Sequence, residues 1–492
     1  MRSAYGVEQV RAAEAAAMER AADGALMQRA AAGLAAACAD VLNGVSPARA
    51  KPRARGRVYG ARVVLLVGSG ANGGDALYAG ARLARRGAGV SAVLLDPARA
   101  HAGGLAALVR AGGRVADSAG DVVRRADLVV DGITGIGGRG GLRGDAVDVV
   151  ALVAESRAFV VAVDLPSGVE ADSGEVRGDA VRADATVVFG AYKVGLMVDP
   201  AREYAGALRL VDIGLEVGGF SAEVEALQHA DVAGLLPVPG VESDKYRRGV
   251  VGVVAGSSTY PGAGVLAVAG ALRGGAGAVR YVGSAGDQVI ARFPEALVSA
   301  GSVGDAGRVQ AWVVGPGIGE DRSVVADVLA TDVPVLVDAD GLRGLDAGAV
   351  RGRSAETLLT PHAGEAARLL GVEREVVEGA RLESVRELAR RYGATVLLKG
   401  STTLVASEGE GVPVRVNPTG TSWLATAGSG DVLSGVAGAL LAGGLGARDA
   451  GAVGAYLHGL AGRRAAGAGV GAPVSAWGVA EELGGAWRDV CG

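Results

Sequence analysis

Cysteine is nearly absent from this 492-residue chain, in which Cys38 and Cys491 are the only two. Two cysteines so far apart in sequence form neither a disulfide framework nor a cysteine-based metal site. Aromatic residues make up only 4% of the chain, whereas glycine contributes 83 residues. The cores are therefore expected to consist of closely packed Ala, Val and Leu, which favours α/β layers. We expect a protein of the reducing cytoplasm.

The chain also lacks a large excess of either charge, because its net charge is -4 and its arginines are interspersed with acidic residues. No surface for tracking phosphates is evident, so we expect no nucleic-acid partner. The alanine-rich N-terminus carries Glu8, Glu14, Glu19 and Asp23, which does not fit a signal peptide. The longest nearly uncharged run, Val432–Ala447, is shorter than a membrane span and rich in glycine. We therefore expect no membrane association.

Length and hydrophobic patterning predict two different α/β domains. A basic loop at 49–57 leads into a continuous apolar strand, after which strands and helices alternate to about residue 215. The stretch 216–248 mixes Gly, Pro and charge and is predicted to be a linker. The first domain is expected to contain strands 62–67, 90–95, 127–131, 159–164, 185–189 and 208–213 and helices 74–86, 102–112 and 145–155.

The second domain is expected to span 249–492, with the same alternation. Its predicted strands are 250–255, 278–282, 310–314, 334–338, 356–360 and 394–399, and its predicted helices are 262–274, 363–371, 379–392 and those after 430.

Polar side chains follow three predicted strands of the first half: Asn72, Asp75, Asp131, Asp164 and Ser167. The carboxyl ends of parallel strands meet at one edge of a sheet, so these groups are expected to converge. Their oxygens suit a hard cation or proton transfer in a cleft. Taken singly, a residue of each of these types at such a position is more often a helix cap or a turn residue.

Four motifs of the first half, GSGANGGDA, DGITGIG, VDLPSGVEADSG and FGAYKVGL, resemble the NAD(P)HX epimerase domain, also called the YjeF N-terminal domain, over roughly residues 1–215. The resemblance implies a catalytic acid/base role for Asp164, potassium ligation by Asn72, Asp131 and Ser167, and a position for Lys193 in the same cleft. The substrate contacts that it implies are Ala71, Asn72, Gly73, Gly74, Asp75, Gly135, Ile136, Gly137, Gly138, Arg139, Gly140, Gly141 and Asp164.

A glycine-rich turn followed by an apolar helix places Asp431 at a predicted helix N-terminus. Exposed backbone amides and the positive end of the helix dipole favour an anion there, and Asp431 could take a proton from an attacking hydroxyl. The alternative is a helix cap after a glycine turn. Lys399 and the hydroxyls after it suit a nucleotide phosphate or ribose. His362 lies in a strand-to-helix loop without zinc-ligand spacing.

The segments TPHAGEAARLLG, LLKGSTTLVA, NPTG and AGSGDVLSG together resemble the ADP/ATP-dependent NAD(P)HX dehydratase branch of the ribokinase-like superfamily, the YjeF C-terminal domain, over about residues 225–488. The resemblance implies catalysis by Asp431, with substrate contacts from Ala263, Gly317, His362 and Asp431. It implies ADP contacts from Lys399, Gly400, Ser401, Thr402, Thr403 and Gly430. The expected fold is an N-terminal Rossmann-like three-layer domain followed by a ribokinase-like α/β/α domain.

Both resemblances together imply a bifunctional enzyme that repairs the nicotinamide nucleotide hydrates NADHX and NADPHX. The first domain is expected to interconvert the R and S epimers, and the second to dehydrate the S epimer at the expense of ADP or ATP. Mg²⁺ and K⁺ are the expected metal ions, and a homo-oligomer is the expected assembly. The alternative is a small-molecule kinase of the ribokinase-like superfamily whose N-terminal domain is a nucleotide-binding or scaffold module.

Overall fold

The computed structural model describes residues 1–45, 56–299, 301–469 and 471–492. Most of the basic loop predicted at 49–57 lies outside these ranges. The chain forms two compact units: Ser3–Glu223, here called the first unit, and Val224–Gly492 with Met1–Arg2, here called the second unit.

The first unit alternates strands and helices along the chain. Its strands are β1 (Arg2–Tyr5), β2 (Arg62–Val67), β3 (Gly89–Leu94), β4 (Arg114–Val115), β5 (Leu128–Gly132), β6 (Phe159–Val163), β7 (Ala185–Phe189), β8 (Tyr192–Lys193) and β9 (Ala207–Val211). Its helices are α1 (Val7–Arg20), α2 (Ala25–Leu42), α3 (Ala71–Arg85), α4 (Ala102–Arg110), α5 (Ala119–Val123), α6 (Asp145–Glu155) and α7 (Arg202–Ala205).

A seven-stranded parallel sheet in the order β4-β3-β2-β5-β6-β7-β9 forms the centre of the first unit. Its central strands are continuous Val and Leu runs, because helices cover both faces. The carboxyl ends of β2, β5 and β6 therefore lie next to one another and carry the loops that hold the predicted polar residues.

Among the described residues, α2 is the one helix long and apolar enough to cross a membrane by length and composition alone. Leu34, Cys38 and Leu42 of this helix are buried in the core of the first unit. A helix with one face buried in this way is typical of the core of a folded domain.

The second unit has its own α/β layers. Its strands are β10 (Val224–Ala226), β11 (Val250–Val254), β12 (Ala278–Val282), β13 (Leu297–Ser299), β14 (Ala311–Val314), β15 (Val335–Val337), β16 (Thr357–Leu359), β17 (Thr395–Leu398), β18 (Thr403–Ala406) and β19 (Val414–Asn417). Its helices are α8 (His229–Leu235), α9 (Pro261–Arg273), α10 (Gly286–Arg292), α11 (Ser323–Leu329), α12 (Ala347–Arg351), α13 (Ala363–Leu370), α14 (Arg374–Gly379), α15 (Arg381–Tyr392), α16 (Ser429–Ala442), α17 (Ala447–Ala466) and α18 (Ala476–Cys491).

The strands of the second unit follow the order β13-β12-β11-β14-β15-β16-β17-β18-β19-β10. Pairing is parallel from β13 to β17 and antiparallel across β17-β18-β19. Helix α16 packs tightly on α9, since a Cβ at Gly435 would lie 2.1 Å from the Ala267 carbonyl oxygen. This contact holds the first turn of α16 at the carboxyl edge of the sheet.

The sequence predictions differ from the observed elements in several places. The predicted linker 216–248 contains β10 and α8, which belong to the second unit. The predicted helix 379–392 begins at Arg381 and follows a separate helix, α14. Strands β18 and β19 were not predicted, because they follow β17 directly in antiparallel pairing and so depart from the strand–helix alternation on which the prediction rests.

Candidate functional sites

In the first unit, Asp164 and Lys193 form a buried ion pair at the carboxyl end of β6. The Lys193 Nζ donates to Asp164 Oδ1 at 2.5 Å and to the Phe189 carbonyl oxygen at 3.1 Å, and Lys193 is 0% exposed. The Phe189 amide donates to the same Asp164 oxygen at 2.9 Å. Asp164 holds a φ of 66°, a left-handed conformation that is strained for a residue with a side chain. The second carboxylate oxygen of Asp164 has no hydrogen bond among the described residues and is the candidate contact with a ligand.

Asp131 and Ser167 form a second buried group, between β5 and the loop after β6. The Ser167 Oγ lies 2.6 Å from Asp131 Oδ1 and 3.2 Å from the Thr134 carbonyl oxygen, and it accepts from the Thr134 amide at 2.9 Å. Burial raises the pKa of Asp131 to about 6, against the opposing effect of its hydrogen bonds from Ser167 and Ile133. Asn72 lies beside this group, with Nδ2 2.6 Å from the Val163 carbonyl oxygen.

These oxygens fit a monovalent cation. Within the cluster, the Asp131 oxygens accept from the Ile133 amide and from the Ser167 amide and hydroxyl, and the Thr134 and Val163 carbonyl oxygens accept from Asn72 Nδ2. Carboxylate, hydroxyl, amide and carbonyl oxygens are the donors that hard cations prefer. The predicted ligands Asn72, Asp131 and Ser167 are therefore brought together, and the Thr134 and Val163 carbonyls join them.

Asp75 and Glu14 add two more acidic groups to the first site. Asp75 is 5% exposed, and its Oδ1 has no hydrogen-bond partner among the described residues. Burial, with the nearby Asp164 and Glu14 carboxylates, raises the pKa of Asp75 to about 8. The pKa of Glu14, on α1, is raised first by burial and then by Asp164, while Lys193 and Arg11 oppose the shift. Sequence reasoning missed Glu14, because one acid in an alanine-rich helix carries no motif.

The remaining predicted contacts of the first site lie on two segments. Ala71–Asp75 form the first turn of α3, and the backbone of Gly135 lies directly against the Asn72 side chain. The Gly140 amide, in the same glycine-rich loop, donates to Glu170 Oε1 at 2.7 Å. A cavity of about 550 Å³ lies beside this loop and is lined by Gly68, Ser69, Thr134, Gly138, Arg139, Gly141, Arg143 and Asp145, among others.

In the second unit, Lys399 lies at the centre of a carboxylate cluster. Its Nζ donates to Asp338 Oδ1 at 2.7 Å and lies 3.7 Å from Glu365 Oε2. Burial lowers the pKa of Lys399, but Asp338, Glu365 and Asp431 together outweigh it and raise that pKa. The other oxygen of Asp338 accepts from Ser434 Oγ at 2.6 Å. Asp338 was not predicted, although it follows a strand as the predicted acids do.

Asp431 lies in the first turn of α16, as predicted. Gly428 precedes the helix with a φ of 85°, a conformation that a residue with a side chain adopts with strain. The amides of Gly430 and Asp431 make no hydrogen bond among the described residues, so they remain available to an anion. Burial, then Asp338, raises the pKa of Asp431 to about 7, while Lys399 opposes the shift.

A Cβ at Gly430 would lie 3.5 Å from Lys399 Nζ and 3.9 Å from Asp338 Oδ2. The first turn of α16 and the lysine therefore face the same space. Below the turn, His458 of α17 is buried, and burial lowers its pKa to about 4 despite a hydrogen bond with the Ser429 backbone. This neutral histidine was not predicted, since its position in an apolar helix gives no sign of a partner.

His362 caps the N-terminus of α13, and both of its ring nitrogens have partners within the chain. Its Nδ1 accepts from the Gly364 and Glu365 amides at 3.0 and 3.2 Å, and its Nε2 lies 3.3 Å from Glu365 Oε1. Burial lowers the pKa of His362, although Glu365 opposes the shift. The side chain is 55% exposed, which leaves a ring face open for the predicted substrate contact.

The predicted ADP segment Lys399–Thr403 is the connection between β17 and β18. Arg381 supports it from below, since its Nη2 donates to the carbonyl oxygens of Leu398, Lys399 and Thr402 at 3.1–3.3 Å. Gly400 and Ser401 are exposed, whereas Thr402 and Thr403 are buried. On the other side of the site, Gly317 has a φ of 65° and its backbone lies against Ala263, so these two predicted residues are neighbours.

Comparisons with known proteins show the family of the chain. Residues 23–195 match the family described as YjeF-related protein N-terminus, and residues 251–474 match the family described as NAD(P)H-hydrate dehydratase. The bifunctional NAD(P)H-hydrate repair enzyme Nnr of Mycobacterium leprae is 52% identical over 79% of this chain and 80% of its own length. The chain belongs to the bifunctional NAD(P)H-hydrate repair enzyme family.

Other members of this family are similar over more of the chain. The enzyme of the same name from Mycobacterium tuberculosis H37Rv is 48% identical over 90% of this chain and 89% of its own length. Among solved structures, the ADP/ATP-dependent NAD(P)H-hydrate dehydratase from Bacillus subtilis, co-crystallised with ATP and Mg²⁺, is 28% identical and has a TM-score of 0.49. That alignment covers 54% of this chain and 99% of the Bacillus chain.

Proposed function

We propose that this protein repairs hydrated NADH and NADPH with two activities: epimerisation of NADHX and NADPHX in a domain of residues 1–215, and nucleotide-dependent dehydration of the S epimer in a domain of residues 249–492. The family relationship supports both activities. The observation that carries the proposal is the site of the second unit, where Asp431, Lys399 and two available helix amides face one space. A base, a cation and an anion hole are the three parts that phosphoryl transfer requires.

In the proposed dehydration, Asp431 takes the proton of the substrate hydroxyl as that oxygen attacks the terminal phosphorus of ADP. The Gly430 and Asp431 amides and Lys399 stabilise the charge that develops on the transferred group. The carbon–oxygen bond of the phosphorylated intermediate then breaks, as the ring nitrogen's electron pair expels phosphate. Loss of a proton from the neighbouring ring carbon restores the dihydropyridine.

The nucleotide contacts proposed for this step are Lys399, Gly400, Ser401, Thr402, Thr403 and Gly430, and the hydrate contacts are Ala263, Gly317, His362 and Asp431. Two surfaces support this division. The proposed nucleotide contacts Lys399–Thr403 lie on the β17–β18 connection, whereas Ala263, in the first turn of α9, contacts Gly317 in the loop after β14. ADP is the proposed donor, with ATP as the alternative.

Mg²⁺ is proposed to arrive with the nucleotide. Among the described residues, no group of three or more His, Cys, Asp and Glu side chains could hold a metal ion. Mg²⁺ usually takes one or two carboxylates together with substrate phosphates. Asp338 and Asp431 are the carboxylates nearest the first turn of α16, so they fit that mode of binding. The ion would neutralise charge on the transferred phosphoryl group.

In the proposed epimerisation, Asp164 exchanges a proton with the hydroxyl group of the hydrated ring, with Lys193 compensating its charge. Ala71–Asp75 and Gly135–Gly141 would contact the nucleotide. Asn72, Asp131 and Ser167 would hold K⁺. Because Asn72 also donates to the carbonyl oxygen of Val163, the residue before Asp164, the bound ion would fix the loops around Asp164. A cytoplasmic homo-oligomer without membrane or nucleic-acid partners completes the proposal.

Two variants of the whole protein separate the proposed activities. With mixed epimers and ADP, Asp164→Asn is expected to return only the S epimer to NADH at the normal rate. Asp431→Asn is expected to interconvert the epimers without forming NADH. A phosphorylated hydrate that accumulates without release of phosphate would support the kinase alternative, and full repair of both epimers by Asp164→Asn would support a binding or scaffold role for the first domain.

A further inference from the structure

Helix α1 is fixed against the residues that flank Asp164 and Lys193. Val7, its first residue, donates its amide hydrogen to Asp172 Oδ1 at 2.7 Å. The Val7 side chain belongs to a buried cluster that includes Leu165, Val188 and Leu196. Each of these three residues lies within three positions of Asp164, Phe189 or Lys193 in sequence, so the helix is anchored beside the ion pair.

Glu14 lies on the face of α1 that the anchor turns toward the site. Residues seven apart on a helix share a face, and Glu14 follows Val7 by seven. Val10 and Ala17 of the same face are buried, whereas Glu8 and Glu19 of the same helix are exposed. Glu14 is the acidic residue of α1 that is partly buried, and it interacts with Lys193, Asp164 and Asp75.

The site thus holds more carboxylates than positive charge. Lys193 is fully buried and donates to Asp164, which balances one carboxylate. Asp75 Oδ1 is buried without a hydrogen-bond partner among the described residues, and Asp75 is 5% exposed. Burial and the neighbouring carboxylates raise the pKa of both Glu14 and Asp75, with Lys193 and Arg11 opposing the shift at Glu14. The site therefore presents one carboxylate in an ion pair and, next to it, two acids whose raised pKa values favour their protonated forms.

We propose that Glu14 is a second catalytic acid–base residue of the epimerisation, donating a proton to the substrate while Asp164 accepts one. This inference rests on the proposed epimerase function of the first unit. In this proposal Glu14 contacts the hydrated ring directly. Asp75 is a neighbouring acid that helps to hold a proton beside this contact.

The hydroxyl-bearing carbon of the hydrate is bonded to the ring nitrogen, so the centre can be inverted by opening this bond. Asp164 accepts the hydroxyl proton, the oxygen's electron pair forms a carbonyl, and the carbon–nitrogen bond breaks. The electron pair of that bond goes to nitrogen, which takes the proton of Glu14. Rotation about the adjacent carbon–carbon bond presents the other carbonyl face, and the reverse proton transfers close the ring as the opposite epimer. No other reactant is consumed.

The test compares Glu14→Gln with Glu19→Gln, which alters an exposed acid of the same helix. The full-length variants are incubated with R-NADHX in the absence of ADP, and S-NADHX is followed by chromatography after subtraction of the rate without protein. Glu14→Gln is expected to lose about 10²- to 10⁴-fold in rate, the usual range for general acid–base catalysis. Glu19→Gln is expected to match the unaltered protein. Glu14→Asp is expected to recover part of the rate.

The pH profile gives a readout that a purely structural role would not change. Glu14 acts in its protonated form, so the unaltered enzyme is expected to lose activity as pH rises through the raised pKa of Glu14. Glu14→Gln should lack this descending limb. ADP-dependent dehydration of the S epimer by the same sample reports whether the chain is folded. If the unaltered protein epimerises and Glu14→Gln keeps the same rate, the role of Glu14 is overturned. If the unaltered protein has no epimerase activity, the proposed function itself is overturned.

Discussion

Lys193 donates a 2.5 Å hydrogen bond to Asp164 although its side chain is fully buried. The pair is surrounded by the Glu14 and Asp75 carboxyl groups and by the Phe189 backbone. A buried ammonium is tolerated when charge and hydrogen bonds compensate it, and both partners then depend on each other. The ion pair therefore links the stability of the first unit to the proposed chemistry of Asp164.

Replacing Lys193 by Met is expected to destabilise the first unit by about 3–5 kcal/mol, because it leaves a buried carboxylate without its partner. Thermal and urea unfolding measure this effect. The double variant Lys193→Met with Asp164→Asn should recover much of the stability but none of the epimerase activity. Two single-variant losses that simply add in the double variant would show that the two side chains are not coupled.

The dehydration rate is expected to rise with pH through about 7, because Asp431 must be ionised to act as a base and its raised pKa is about 7. Lys399 lowers that pKa and Asp338 raises it. Lys399→Met should thus move the ascending limb of kcat/KM to higher pH, and Asp338→Asn should move it to lower pH. If the ascending limb of kcat/KM lies at the same pH in both variants as in the unaltered protein, the titrating group is not Asp431.

Asp75 is expected to reduce the stability of the first unit as pH rises. Its pKa is about 8 in the folded chain, above its ordinary value of 3.8, so the stability that it contributes is complete below about pH 4 and is lost as pH rises to about 8. Asp75→Asn should therefore gain stability relative to the unaltered protein by about 2–4 kcal/mol between pH 5 and 8. A difference that stays constant over this range in urea unfolding would contradict the account.

Arg381 is expected to control nucleotide binding without touching the nucleotide. Its Nη2 supports three carbonyl oxygens of the β17–β18 connection, so Arg381→Ala should raise the KM for ADP about tenfold and destabilise the second unit by about 2–4 kcal/mol. Arg390→Ala, on the exposed face of the same helix, is the matched control and should leave both unchanged. Equal effects of the two variants would exclude a specific support role.

Sequence reasoning predicted the sites best where residues follow strands. Asp131 and Ser167 are brought together because the parallel strands β5 and β6 end at one edge, and this rule needs only the strand positions. The same rule applied to β15 would have found Asp338. Glu14 and His458 could not be predicted, because each reaches its site through the packing of a whole helix. Strands β18 and β19 were missed because they pair antiparallel with β17 and interrupt the strand–helix alternation that the prediction followed.

The most direct test of the central claim is the return of dihydronicotinamide absorbance when the protein is incubated with mixed NADHX epimers, ADP, Mg²⁺ and K⁺. The account predicts complete recovery of both epimers, with one phosphate released for each NADH formed. Recovery that stops when the S epimer is consumed would contradict the epimerase assignment, and an absence of ADP- or ATP-dependent recovery would contradict the proposed function as a whole.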